Sequence, residues 1–186
     1  EDRFVFPGGF EPQWAKEMDL GYAEEFRGFI RDVLFSYMDD NFRVADDRTY
    51  IGWSGGGWFG HYMLFHEPDL FHRYLLGSTG YWFEREREYE GNLFEYEERY
   101  AAEHDSLDVD LFLSVGGGEP SYMESEMMQM IQQLKSRNYH GLTLDWHVFK
   151  DQKHYSVWPI AINIGLVELF ENVNSEATGG LREIDE

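Results

Sequence analysis

The stretch that most constrains this chain is Gly52-Trp53-Ser54-Gly55-Gly56, because of what stands on either side of it. Ahead of it, Arg48-Thr49-Tyr50-Ile51-Gly52 reads as a short strand. Behind it, Trp58 to His66 reads as a helix that Pro68 and Asp69 end. A Gly-x-Ser-x-Gly run at a strand-to-helix turn holds its serine on a sharp, strained bend with the hydroxyl clear of the sheet. Glycines two residues before and two after the serine let backbone and helix approach without a Cβ in the way. Gly55 then opens the helix and can turn its N–H toward a developing oxyanion. A phosphate-binding loop would carry a lysine after its glycines, and Trp58 stands there instead.

The rest of the chain alternates in the same way. Phe26, Phe29, Ile30, Val33, Leu34, Tyr37 and Met38 recur every three or four residues, one apolar stripe on a helix from about Ala23 to Asp40. Strands are expected at 48–52, 73–78, 108–115 and 142–149, and further helices from Tyr122 to Asn138 and from Val157 to Glu171. Residues 1–22 read as a loop rich in Gly, Pro and aromatics. The charge-dense stretch 84–106 reads as a solvated helix or excursion, and residues 173–186 as a flexible acidic tail after a domain of residues 1–172. Strands alternating with helices imply a parallel sheet covered on both faces.

Charge narrows the possible partners. The chain has 36 acidic and 15 basic residues among 186, a net charge of −21. Nucleic acid and anionic membrane surfaces are disfavoured partners for such a protein. An apolar share of 42% and an aromatic share of 18% still suffice for a core, so the acidity does not imply disorder. No apolar run reaches the roughly 18 residues that a membrane-spanning helix needs. The chain has no cysteine, which removes thiolate nucleophiles, thiolate metal sites and disulfides. The compartment stays open.

A serine nucleophile needs a base and an acid to orient that base. Of the seven histidines, His61 and His66 lie on the helix after the serine and are directed away from the turn. His72 precedes a strand, His104 lies in the charged stretch and His147 within a strand. His154 follows the last strand through Lys150-Asp151-Gln152-Lys153, which places it over the strand ends where open α/β sheets bind ligands. It is the expected base. Glu119 follows strand 108–115 and Gly116-Gly117-Gly118; it is the expected acid, with Glu124 and Asp151 as competitors. No group of histidines and acids has metal-ligand spacing, so neither a metal nor another cofactor is expected.

These segments resemble the esterase family of α/β-hydrolases that contains esterase D and the enterochelin esterases. The resemblance rests on Arg48 to Phe59, on Pro68 to Tyr74, and on Gly77-Ser78-Thr79-Gly80-Tyr81-Trp82. It extends to Leu113-Ser114-Val115-Gly116 with Glu119, and to Val148-Phe149 with His154-Tyr155-Ser156-Val157-Trp158-Pro159. It implies an α/β-hydrolase fold and a serine carboxylesterase with Ser54, His154 and Glu119 as its triad and Gly55 as one oxyanion donor. The expected substrates are small-molecule or carbohydrate esters. Trp53, Trp58, Tyr81, Trp82, Tyr155 and Trp158 would line the site and suit flat acyl groups. Trp53 and Trp58 are bulkier than the family's usual residues at those places. The resemblance also predicts several strands ahead of the nucleophile strand, together with the loop carrying a second oxyanion donor. This chain is therefore expected to lack its N-terminal strands, which an earlier segment of the same domain or a second chain would supply. The competing expectation is a non-catalytic hydrolase-like module that binds carbohydrate or a protein partner.

Overall fold

The computed structural model describes residues 22–81 and 92–177, with side chains as far as Phe170. Four strands, β1 (Thr49–Trp53), β2 (Arg73–Gly77), β3 (Asp110–Gly116) and β4 (Thr143–Phe149), pair in that order and all in parallel. A helical stretch precedes them: α1 (Ala23–Phe29), a π-helical segment (Ile30–Leu34) and α2 (Phe35–Asn41). The crossovers carry α3 (Gly55–His66), α4 (Leu93–Glu103) and α5 (Ser121–Arg137), and α6 (Val157–Ala177) follows β4. The fold is α/β, with the parallel sheet expected from the alternation.

The two faces of the sheet read directly from the period-two alternation of strand side chains. Tyr74, Leu76, Leu111, Leu113 and Val115 belong to the larger core, with Met63, Leu64, Leu93, Met127, Met130 and Leu134 from α3, α4 and α5. Leu75 and Phe112 point the other way and pack on Leu169, Trp158 and Ile164 of α6. Consecutive parallel strands joined by right-handed crossovers place their connecting helices on one face, and α6 returns to cover the other. β2 is buried along its whole length. β4 alternates, with Thr143, Asp145 and His147 exposed and Leu144, Trp146 and Val148 facing the larger core.

The N-terminal stripe forms a helix but is only partly buried. Ala23 and Ile30 are buried and Phe35 packs against the core, but Phe26, Phe29, Val33, Leu34 and Tyr37 are exposed among the described residues. Ile51 of the edge strand β1 is exposed as well.

Two expectations shift. The acidic stretch is not solvated throughout: α4 opens on an Asn92–Glu95 capping box and buries Leu93, Tyr96, Glu97 and Tyr100. The final helix runs on to Ala177, past the expected start of the tail, and residues 178–186 lie outside the described part. The expected N-terminal loop falls outside it too, up to residue 21. Among the described residues no helix is long and apolar enough to cross a membrane.

His61 of α3 is fully buried; its Nδ1–H donates to the Gly57 carbonyl at 3.0 Å, and Tyr81 Oη lies 3.4 Å from Nε2. Burial pushes its pKa down to about 4. The unfolded chain then binds a proton that the folded chain refuses, so stability falls as pH drops below the ordinary histidine value of about 6.5 and toward 4. The expected loss over that window is about 3 kcal/mol. Thermal unfolding followed from pH 7 downward checks this: His61→Phe should flatten the slope, even where it lowers the melting temperature itself.

Candidate active site

The sheet register lines up the ends of the strands. Trp53 pairs with Gly77, Gly77 with Ser114, and Gly116 with Phe149. The residues that follow β1, β3 and β4 therefore emerge along one edge, the carboxyl edge where parallel α/β sheets place their sites. Ser54, Glu119 and His154 are those residues.

Ser54 sits between β1 and α3 with φ +57° and ψ −117°, a strained conformation for a residue with a side chain. Its N–H donates to the Gly77 carbonyl at 2.8 Å, and its own carbonyl accepts the Trp58 N–H at 3.0 Å. The turn is tight. A Cβ built on Gly52 would lie 2.3 Å from the Gly56 carbonyl oxygen, so residue 52 has no room for a side chain. Gly56 is different, since the nearest atom to an added Cβ is the Tyr50 hydroxyl at 3.8 Å. The glycine before the serine is thus sterically required and the one after it is not. Tyr50 Oη instead donates to the Gly56 carbonyl at 2.8 Å and ties the bend to the strand. Gly55 is the first residue of α3, so its N–H belongs to the first turn, whose N–H groups have no acceptor inside the helix.

The triple glycine lets two loops meet. The Gly117 N–H donates to Phe149 and the Gly118 N–H to Gln152, at 2.9 and 2.8 Å. A Cβ on Gly116 would stand 2.4 Å from the Gln152 carbonyl oxygen. The acid loop and the histidine loop therefore lie backbone against backbone, and Glu119 reaches His154 across the joint.

That contact is short. His154 Nδ1–H donates to Glu119 Oε2 at 2.6 Å, and His154 Nε2 lies 3.1 Å from Ser54 Oγ, where it accepts the hydroxyl proton. With Nδ1 facing a carboxylate, the neutral ring keeps its proton there and leaves Nε2 as the acceptor. Ser78 Oγ–H and the Gly116 N–H both donate to the other carboxylate oxygen, at 2.6 and 2.8 Å. Burial pushes the Glu119 pKa up, but the hydrogen bonds from His154, Ser78 and Gly116 outweigh it and hold the carboxyl below its ordinary value. The competitors Glu124 and Asp151 are exposed, and His154 Nδ1 is taken by Glu119.

The expected aromatic lining divides. Trp53 lies on His154 with ring centroids 4.5 Å apart and also meets Tyr155 and Trp158. Tyr155 is 80% exposed beside it. Trp58 and Tyr81 are core side chains instead, because α3 turns Trp58 onto Tyr62 and Tyr81 closes on His61 and Phe94. They offer no open surface in this structure, which corrects the expectation that they line the site. Trp82 lies outside the described residues. Ser78, which also bonds Glu119, lies in the Gly77 to Trp82 segment but carries no motif of its own. Among the described residues no three His, Cys, Asp or Glu side chains come together as a metal ion would require.

The family model described as "Putative esterase" matches residues 6–168. The BES protein of Bacillus cereus is similar in structure, with 25% identity and a TM-score of 0.68 over 78% of this chain and 55% of that one. So is an IroE-like serine hydrolase of Shewanella oneidensis, at 22% identity and TM-score 0.77 over 90% and 53%. The siderophore hydrolase EstA of Aspergillus nidulans follows at 22% and 0.67, over 90% and 61%. The chain therefore spans little more than half the length of these relatives. No curated protein matches it. With the family model covering most of its length, the chain belongs to the Putative esterase family of α/β-hydrolases.

Proposed function

We propose that this chain carries the catalytic part of a serine carboxylesterase. The observation that supports it most is the unbroken hydrogen-bond chain from Glu119 through His154 to Ser54. In this reading His154 Nε2 takes the Ser54 proton as Oγ attacks the ester carbonyl. Glu119 stays ionised, holds the imidazole in the right tautomer and balances the charge of the imidazolium. Gly55 N–H donates to the oxyanion of the tetrahedral intermediate. His154 then returns the proton to the departing alcohol. Water repeats the sequence against the acyl group on Ser54 and frees the acid.

A second oxyanion donor would come from polypeptide outside the described residues, in the same protein or a second chain, seated against β1 and the exposed face of α1. Removing one such donor costs about 100- to 1,000-fold in turnover, so a protein without that polypeptide would be a slow enzyme.

Trp53 and Tyr155 border the serine and suit a flat acyl or aryl group. The charge of −21 gives little attraction for anionic esters, so neutral small-molecule and carbohydrate esters fit better than catecholate siderophores. Assaying p-nitrophenyl acetate, methyl ferulate and a trilactone siderophore side by side tests the reading. Faster turnover of the neutral esters is expected. Preference for the trilactone would overturn the choice of substrate, and no turnover of any of them by protein supplied with its completing polypeptide would overturn the reading.

A further inference from the structure

We propose that Ser78 is a positioning residue of this site, holding the Glu119 carboxylate so that one oxygen is fixed and the other is left for His154. This rests on the proposed esterase reading for its kinetics, but not for its geometry.

Ser78 follows the last residue of β2 and is 1% exposed. Its φ is +46°, in the left-handed region that a residue with a Cβ enters at a cost. Ser54, after β1, is the other serine with positive φ, and it too stands at the carboxyl edge of the sheet. Such strain persists only where surrounding contacts impose it, and at Ser78 those contacts can be named. Its N–H donates to the Ser114 carbonyl at 2.7 Å and its Oγ–H to Glu119 Oε1 at 2.6 Å.

The carboxylate is thereby divided. Oε1 receives Ser78 and the Gly116 N–H, while Oε2 receives His154 alone. Two donors on one oxygen fix the plane of the group, which a single hydrogen bond to histidine would leave free to rotate. The Glu119 side chain is 1% exposed, so water cannot easily replace a lost donor. A buried hydroxyl donating to a carboxylate makes one of the stronger hydrogen bonds in proteins. Its removal leaves the acid less firmly ionised and less firmly aimed.

Two substitutions separate this role from mere packing. Ser78→Ala removes the hydroxyl and keeps the strain. Ser78→Gly removes both, because glycine adopts positive φ freely. A purely structural serine would make Ser78→Gly harmless. The positioning role leaves it folded, with the relieved strain offsetting part of the lost hydrogen bond, yet impaired in function. On p-nitrophenyl acetate, kcat should fall about 10- to 100-fold in both variants, with KM changed less than about twofold. The second readout needs no turnover. The His154 Nδ1–H should give a far-downfield proton signal in the parent protein at low temperature, broadened or lost in both variants and in Glu119→Ala. If Ser78→Gly keeps the parent kcat and the parent signal, the inference is overturned. If the parent, supplied with its completing polypeptide, hydrolyses none of the esters, the esterase reading fails, and the proton signal still decides the role of Ser78: lost on substitution supports it, kept refutes it.

Discussion

Ser54→Ala is expected to remove essentially all ester turnover while leaving the fold intact. When a triad serine is lost, kcat falls by roughly a million-fold, and what remains comes from binding and the oxyanion donors. In this chain the residue should be smaller still if only the Gly55 N–H is in place. The substitution asks little of the structure, because the backbone bonds at residue 54 come from its N–H and carbonyl and not from the hydroxyl. His154 keeps its bond to Glu119. The strained φ of +57° burdens alanine as it burdens serine, so little change in melting temperature is expected beside the large loss of activity. Comparing turnover at matched protein concentration, with circular dichroism as the check on folding, measures both.

The largest expected effect on stability lies elsewhere, at Glu97. This carboxylate is fully buried on α4. Arg137 donates to it from Nε and Nη2 at 3.1 and 3.0 Å, Tyr139 Oη at 2.7 Å and Gln133 Nε2 at 2.5 Å. The cluster locks α4 to the end of α5. Removing one member of a buried charged network leaves the others without partners, and such losses run to about 3–5 kcal/mol. Arg137 is partly exposed and can recover some hydration, so Glu97→Ala should cost about 3 kcal/mol, a fall of roughly 6–12 °C in melting temperature. Glu97→Gln keeps the shape and should cost less. A melting point within about 2 °C of the parent would show that the cluster contributes no net stability.

Glu97 also shows where sequence reading runs out. The run Glu95 to Glu98 looks like a solvated face, and its other two glutamates, Glu95 and Glu98, gave no reason to treat Glu97 differently. What buries Glu97 is the arrival of Gln133, Arg137 and Tyr139 from about 40 residues away, and no local pattern announces that. The strands were legible because β2 and β3 are runs of large apolar residues and β4 alternates, so each appeared within two residues of its place. The helix after the serine begins at Gly55 and not near Trp58; three glycines in a row have low helix propensity and disguise its first turn.

The apolar stripe at residues 26–38 had the period of a helix, and a helix forms there. Period says nothing about what a stripe faces, and most of it faces outward among the described residues. Ser54 and His154 could be proposed from the sequence because each stands in a distinctive local setting, a glycine-rich turn after a strand and a loop at the end of a strand. Glu119 was expected as the acid from its place after a strand and three glycines, which left Glu124 and Asp151 as competitors. Ser78 was hidden because its role depends on a backbone conformation and on a partner 41 positions away.

In the proposed reaction Ser54 is a nucleophile activated by His154. Treating the protein with a fluorophosphonate and locating the adduct by peptide mass spectrometry tests it directly. A single phosphonyl adduct on Ser54 is expected, formed far more slowly in His154→Ala and absent from Ser54→Ala. An adduct elsewhere, or labelling of Ser54 at the same rate with and without His154, would contradict it.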